Sequence, residues 1–252
     1  MDILSVEKFV KSYKSKKYAQ KAVKYLISKD LLPLEANEDT AALVGHLMGD
    51  GSLSKDCYVG EFRFFGSETK LKIIKSKITQ IFNVEPKRFY QRKGGFVLRY
   101  NNCIIARLFN LIGVPRGNKV RTPFGVPRWI KSSNSSVKRS FLIALCDDEL
   151  SSPRKDKRGY IEPLRLKFNK TEKLLEEGKS FLHEIKYLFN EFGILCNPIK
   201  VNNDKYKNKY GEITRSIYFN ISSKKNNLKK FEEKVGFESE LIKKFKLQSL
   251  LN

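Results

Sequence analysis

Two acidic residues, Asp50 and Glu149, are the first candidates for chemistry because each ends a short apolar run. Residues 43–51 read LVGHLMGDG and residues 142–150 read LIALCDDEL, so both runs have helical spacing and carry an acid near their end. The two acids lie 99 residues apart, which is the length of a small subdomain. This repetition predicts a duplicated unit with one carboxylate site in each copy.

A pair of carboxylates at helix ends predicts a cation. The C-terminus of a helix carries partial negative charge, and two helices packed side by side would bring Asp50 and Glu149 together, which increases the repulsion. A divalent cation would neutralise that charge, and oxygen ligands alone favour magnesium. Gly45 and Gly49 are four residues apart, and Ala144 replaces Gly45 in the second copy. These small residues predict a close approach of the two helices.

Both runs resemble the motif of the LAGLIDADG homing endonucleases. The first copy matches at four positions and continues into Ser52-Leu53; the matches are Leu43, Gly45, Asp50 and Gly51. The second copy follows Phe141-Leu142, ends in Asp147-Asp148-Glu149, and resembles the variant in which Glu replaces the final Asp. It departs from the motif at Leu150, where glycine is usual, and this leaves open whether the second centre is competent.

The resemblance implies an α+β fold in which two pseudo-twofold-related αββαββα LAGLIDADG repeats form a DNA-binding β saddle. It covers roughly residues 39–252, which we divide into a first repeat at 39–131 and a second repeat at 132–252. Residues 1–38 form a short N-terminal helical segment of two predicted helices, separated by the basic residues 14–17. This segment is either a helix-turn-helix DNA reader or a helical cap packed on the first repeat.

Local signals predict where some of these elements begin and end. Asp39 or Thr40 is expected to cap the first motif helix, and Thr171 to cap a long helix in the second repeat. The serine-rich stretch at residues 132–136 is expected to be a linker between the repeats.

The charge of the chain favours a polyanionic partner. The 252 residues carry a net charge of +23, with a pI near 9.8, and they are 40% hydrophobic. Nucleic acid is the expected partner and an anionic membrane surface is the alternative. No apolar run reaches the length of a membrane-spanning helix.

The cysteines and the two chain ends bear on the cellular compartment of the protein and on whether it is an intein. Four scattered cysteines without a CxxC pair, and only two histidines, argue against zinc and favour an intracellular, cytoplasmic setting. The chain begins with Met1 without a signal peptide and ends without the His-Asn pair of protein splicing, so we expect a free-standing protein rather than an intein.

Basic and apolar residues alternate along several predicted strands. Leu164, Leu166 and Phe168 alternate with Arg165 and Lys167, which predicts one apolar face and one basic face. Basic β-ribbons can enter a major groove and reach base edges. The candidates for DNA contact are Arg63, Arg88, Arg92, Arg99, Arg165, Lys167 and Arg215. The alternative is that these residues simply form a solvated face.

Two lysines are assigned by the resemblance to positions near the metal centre. Lys119 matches that position in the first repeat, and Lys243 matches it in the second, with Lys244 as an adjacent competitor. A lysine there can polarise the hydrolytic water or stabilise charge on the phosphate. His46 is expected to be a packed core histidine, and the two acids before Glu149 are expected in supporting or surface positions.

The resulting prediction is a site-specific, double-strand DNA endonuclease of the homing type. Asp50 and Glu149 would hold Mg²⁺, with Mn²⁺ as a substitute, and would act with Lys119 and Lys243 in phosphodiester hydrolysis. Because both motifs lie in one chain, we expect a monomer. The alternatives are a non-cleaving, sequence-specific DNA-binding regulator and an RNA maturase that binds intron RNA, since both use the same basic surface.

Overall fold

A small unit of two helices and two strands begins the chain in the computed structural model, which describes residues 1–56 and 58–252. Strand β1 (Asp2–Leu4) pairs antiparallel with β2 (Leu34–Glu35). Between them lie helix α1 (Val6–Lys11) and helix α2 (Lys16–Ile27). The two helices predicted around residues 14–17 are therefore confirmed. Of the four cysteines, Cys57 lies outside the described residues.

The first repeat follows the predicted order of helices and strands. Its elements are α3 (Glu38–Met48), β3 (Ser52–Leu53), β4 (Glu61–Gly66), α4 (Glu68–Phe82), β5 (Arg88–Arg92), β6 (Gly95–Asn101) and α5 (Cys103–Leu111). The antiparallel sheet has the order β3-β4-β6-β5. Lys93 and Gly94 form the turn between β5 and β6, and Gly94 and Gly95 have φ of 90° and 144°, which residues with a side chain rarely adopt.

The second repeat retraces that order with small departures. A short helix α6 (Arg128–Ser132) precedes its elements, which are α7 (Ser135–Glu149), β7 (Arg165–Thr171), a 3₁₀ turn (Glu172–Leu174), α8 (Leu175–Glu191), β8 (Lys200–Val201), β9 (Tyr206–Lys207), β10 (Ile213–Asn220), α9 (Lys225–Lys234) and α10 (Leu241–Leu251). The strand order is β7-β10-β8, with β9 also paired to β10. An isolated bridge between Leu150 and Leu166 stands where β3 stands in the first repeat. Helices with antiparallel sheets confirm the predicted α+β class.

Three local expectations are corrected by the caps. Asn37, not Asp39 or Thr40, caps α3, because its side chain accepts a hydrogen bond from the Thr40 amide at 2.8 Å. Asn134 caps α7 in the same way, so residues 132–136 are the end of one helix and the start of the next, not a linker. Thr171 precedes the 3₁₀ turn, and its side chain caps neither that turn nor α8 within the described part of the chain.

Helices α3 and α7 pack against each other at the centre of the molecule. The face of α3 is apolar along its length, and residues 40–48 are all buried. A Cβ atom on Gly45 would lie 2.8 Å from the Ala144 Cβ and 2.8 Å from the Phe141 carbonyl oxygen, so the two backbones are nearly in contact. Apolar residues of both repeats and of the N-terminal unit, such as Phe9, join the same hydrophobic core.

Over residues 1–56 and 58–252, no helix combines the length and apolarity needed to cross a membrane.

Candidate active site

The packing of α3 against α7 brings Asp50 and Glu149 close enough for the charge of Asp50 to affect the pKa of Glu149. Asp50 follows the end of α3, and its side chain is 49% exposed. Glu149 is the last residue of α7. Burial, with the charge of Asp50, raises the pKa of Glu149 to about 8, and burial, with the charge of Asp148, raises the pKa of Asp50. For both predicted metal ligands, burial therefore disfavours the charged carboxylate despite the positive charges of Lys119 and Lys243 nearby.

Each motif helix has a lysine at its C-terminal end. Lys119 Nζ donates to the carbonyl oxygens of Met48, at 3.1 Å, and of Gly49. Lys243 Nζ donates to the carbonyl oxygens of Asp147 at 2.6 Å and Leu150 at 2.8 Å. These ammonium groups satisfy carbonyls at the negative ends of the helix dipoles. The two lysines thus occupy equivalent positions in the two repeats.

Burial changes the pKa of these lysines. It lowers the pKa of Lys119 and of Lys243 from the ordinary value of lysine, although neighbouring carboxylates oppose the shift. Both lysines interact electrostatically with Asp50 and with Glu149. The four residues predicted as catalytic are therefore brought together around one space.

A buried ion pair that the sequence did not predict lies beside this space. The Asp148 side chain is 1% exposed, and its carboxylate lies 2.6 Å from Lys70 Nζ and 3.0 Å from His46 Nδ1. Its other oxygen accepts a hydrogen bond from the Asp50 amide at 2.9 Å. Asp148 therefore holds the backbone of Asp50 from the opposite helix. A Cβ atom on Gly49 would lie 2.5 Å from the Asp148 carboxylate, so a glycine is needed there.

Opposite charge keeps this pair ionised. Burial alone would raise the pKa of Asp148, but His46 and Lys70 outweigh it and lower that pKa. Burial alone would lower the pKa of Lys70, but Asp148 outweighs it and raises that pKa. Lys70 Nζ also lies 3.9 Å from the Asp50 carboxylate and 3.8 Å from Glu240. A sequence so rich in lysine carries no signal that separates Lys70 from the others.

Asp147 and Lys170 support the segments that carry the two candidate lysines. The buried Asp147 carboxylate accepts hydrogen bonds from the Ser239 amide at 2.9 Å and hydroxyl at 2.5 Å, just before α10, which carries Lys243. Lys170 Nζ donates to the carbonyls of Lys119 and Thr122, both at 2.7 Å. Asp147 and Asp148 are both buried, so the supporting position expected for them is observed and the surface position is not.

The outer face of the first sheet carries four of the predicted DNA-binding residues. Cross-strand neighbours lie on the same face of a sheet, and Arg99 of β6 is paired with both Arg63 and Arg88. Arg92 lies on this face too, with its guanidinium 4.6 Å from the centre of the Phe65 ring. Glu61 contacts the guanidinium groups of Arg63 and Arg99 and holds them along the sheet.

The second sheet separates Arg215 from the other candidates. Arg165 and Lys167 are exposed on its outer face, where Arg165 stacks 4.4 Å from the centre of the Tyr218 ring. Arg215 instead pairs with the buried Lys170, so it belongs to the face that packs on the helices. Arg215 is two and four residues before the apolar Ile217 and Phe219, so it shares their face of the strand, and this spacing was the signal in the sequence for the placement.

Parts of several longer proteins are similar to this chain in sequence. No protein-family model matches the chain. Among curated proteins, the tRNA-splicing ligase RtcB of Methanopyrus kandleri is 30% identical over 88% of this chain and 23% of the ligase. The DNA-directed RNA polymerase subunit Rpo1N of Methanocaldococcus jannaschii is 28% identical over 87% of this chain and 17% of the subunit. The Replication factor C small subunit of the same organism is 29% identical over 67% of this chain and 10% of that protein. The chain thus spans less than a quarter of the length of each of these three relatives.

Several solved structures are similar in fold. A mesophilic variant of the homing endonuclease I-DmoI has a TM-score of 0.49 and 20% identity, over 79% of this chain and 90% of that chain. The homing endonuclease I-WcaI, bound to its DNA recognition sequence, has a TM-score of 0.48 and 16% identity, over 87% and 96%. The N-terminal LAGLIDADG domain of WhiA has a TM-score of 0.45 and 14% identity, over 85% and 92%. At these identities the likeness concerns the fold alone.

Proposed function

We propose that this protein is a site-specific DNA endonuclease of the LAGLIDADG homing type, which hydrolyses one phosphodiester bond in each strand of a duplex. The observation that carries the proposal is the pair of acids, Asp50 and Glu149, at the adjoining ends of two closely packed motif helices. Each helix end has its own lysine, Lys119 or Lys243, bound to the terminal carbonyls. Because one chain contains both motifs, it would act as a monomer.

The donor set fits a hard divalent cation such as Mg²⁺ or Mn²⁺. Burial is the largest cause of the raised pKa of both Asp50 and Glu149, with a further contribution from Asp148 to Asp50 and from Asp50 to Glu149, and a divalent cation held by the two carboxylates would favour their charged forms. Within residues 1–56 and 58–252, no group of three or more His, Cys, Asp or Glu side chains is placed to hold a metal ion. Water and phosphate oxygens would therefore complete the coordination, as is common for Mg²⁺. When bound, the ion neutralises charge on the scissile phosphate and makes water a better nucleophile.

The residues of the chain itself would bind and orient the DNA. The arginines on the outer face of the first sheet, together with Arg165 and Lys167 on the second, supply cations for the phosphates on either side of the acids. During hydrolysis, water adds to phosphorus and one P–O ester bond breaks, so charge develops on the phosphate and on the leaving oxygen. The positive charges of Lys119 and Lys243, which act on both acids, would stabilise that charge, and a proton from one of these lysines or from water would go to the leaving oxygen.

The RNA ligase named among the relatives does not account for the similarity. Nearly the whole of this chain matches a minor part of a tRNA-splicing ligase and of an RNA polymerase subunit, and 67% of it matches a tenth of a replication factor subunit. Proteins with three different names share this segment, so we infer that its function is separate from ligation, transcription and clamp loading. A sequence-specific nuclease carried within longer chains accounts for all three.

The test is cleavage of DNA in the presence of Mg²⁺. The wild-type protein is incubated with a plasmid library that contains randomised inserts, and linear products are sequenced at their ends. We expect a defined long target to be cut, and the Asp50→Asn and Glu149→Gln variants to bind that target without cutting it. A wild type that cuts no member of the library with Mg²⁺ or Mn²⁺ would refute the proposal.

A non-cleaving DNA-binding regulator is the second candidate, and the Lys70–Asp148 ion pair favours it. Lys70 Nζ also lies 3.9 Å from the Asp50 carboxylate and so supplies positive charge at the place where a nuclease would hold its metal. Tight, sequence-specific duplex binding by a wild type that never nicks would support this candidate. Preferential binding to a structured intron RNA would instead support a maturase.

A further inference from the structure

An apolar cavity lies between the N-terminal helices and the first repeat, away from the acids. Its volume is about 480 Å³, which is within the range of small-ligand sites. Tyr13 and Tyr18 line it from the α1–α2 hairpin, and Tyr58 lines it from the loop before β4. Tyr18 is 65% exposed and Tyr58 is 74% exposed. Aromatic rings on several walls make a surface on which another flat ring can stack.

Positive charge surrounds the aromatic walls. Lys14, Lys21 and Arg107 line the same cavity. The Arg107 guanidinium lies 3.9 Å from the centre of the Tyr13 ring, and its Nη1 donates to the Ser12 carbonyl at 2.5 Å. The stretch from residue 11 to residue 29 contains seven lysines and no acidic residue. A ligand that suits this cavity therefore has an apolar, flat part and an anionic part.

The cavity lies beside one end of the first sheet. Cys103, the first residue of α5, lines the cavity and is separated from the end of β6 by Asn102 alone. At that end of the sheet Glu61 pairs with Asn101, and the Asn102 amide donates to the Gly60 carbonyl at 2.9 Å. Arg63 and Arg99 lie two residues further along the same strands. A nucleic acid chain bound along the sheet could therefore extend into the cavity.

We propose that this cavity binds an unpaired nucleotide of a nucleic acid strand, with the base stacked on Tyr18 and Tyr58 and the adjoining phosphates held by Lys14 and Lys21. The flat apolar part is then the base, and the anionic part is the backbone. The inference rests on the proposed function only in taking nucleic acid as the partner; it does not depend on cleavage. It gives the N-terminal segment a role that differs from both a helix-turn-helix reader and a structural cap.

The experiment compares single-stranded and duplex DNA. Binding of a fluorescent oligothymidylate and of a duplex of fixed sequence is measured by anisotropy in EDTA, so that no cleavage occurs. The Tyr18→Ala/Tyr58→Ala variant should bind the single strand about tenfold or more weakly and the duplex less than about twofold more weakly. Tyr187→Ala is the matched control, because Tyr187 is 64% exposed on α8 outside the cavity, and it should change neither affinity.

A second variant tests the phosphate contacts. Lys14→Ala/Lys21→Ala should reduce the dependence of single-strand affinity on salt by about 1.4 in log–log slope, which is the effect of losing two phosphate contacts. The inference is overturned if the tyrosine variant binds the single strand as the wild type does, or if it loses affinity for both DNAs equally. Failure of the wild type to bind duplex DNA would count against the proposed function, while a tyrosine-dependent single-strand affinity would still support the cavity.

Discussion

The Glu149 carboxyl group predicts how the stability of the metal-free protein depends on pH. Burial, with the charge of Asp50, raises its pKa from 4.5 to about 8 in the folded protein. In the unfolded chain the group returns to the ordinary pKa of glutamate, so the folded state binds the proton more tightly. The group therefore stabilises the fold fully below about pH 4.5, and this contribution is lost as the pH rises to about 8.

The size of the effect follows from the two pKa values. The full difference between about 8 and 4.5 corresponds to about 5 kcal/mol in the free energy of unfolding. Glu149 retains some solvent exposure, and screening by solvent reduces the expected value to about 2–3 kcal/mol. Glu149→Gln removes the titration, so the variant should be more stable than the wild type by that amount near pH 8.

The assay is urea unfolding in EDTA at a series of pH values from about 5 to about 8.5. Glu176→Gln is the matched control, because the Glu176 side chain is 82% exposed, and its stability should follow the wild type within about 0.5 kcal/mol. If the stabilities of wild type and Glu149→Gln change with pH in parallel, then Glu149 does not hold its proton in the folded state, and burial does not raise its pKa.

Three further predictions concern the packing and the charge of the site. Asp148→Asn leaves the buried Lys70 without its nearest ionic partner, at 2.6 Å, so urea unfolding should show a loss of about 3–5 kcal/mol. Gly45→Ala places a Cβ atom 2.8 Å from that of Ala144, and thermal unfolding should show a net loss of about 1–2 kcal/mol after the gain in helix propensity. Lys167→Ala removes an exposed cation from the second sheet, and the log–log salt slope of duplex binding should fall by about 0.9.

Each of these predictions has an outcome that contradicts it. An Asp148→Asn protein within about 1 kcal/mol of the wild type would mean that Lys70 finds another partner. A Gly45→Ala protein that is more stable than the wild type would mean that the helices can separate freely. Lys72→Ala, on the exposed face of α4, is the control for the salt slope. An equal fall in that variant would show that overall charge, not the sheet, sets the slope.

The sequence by itself determined the elements and the positions of the two acids. Apolar periodicity marked the two N-terminal helices, α1 and α2, and the repeated runs located Asp50 and Glu149 at helix ends. These features are local, because the spacing of apolar residues within one element decides which face it buries. The caps were harder to predict, since asparagine at residues 37 and 134 competed with equally suitable neighbours.

Only the tertiary structure decided how the site is charged. Asp148 meets Lys70 because α7 packs on α3 and α4 carries the lysine beside that contact, and no pattern within either helix records the meeting. The same packing removes water from Glu149 and so raises its pKa, which a sequence cannot show because desolvation depends on what surrounds a group in space. The sequence therefore determined which residues could act, and the contacts between distant segments determined their protonation and their positions.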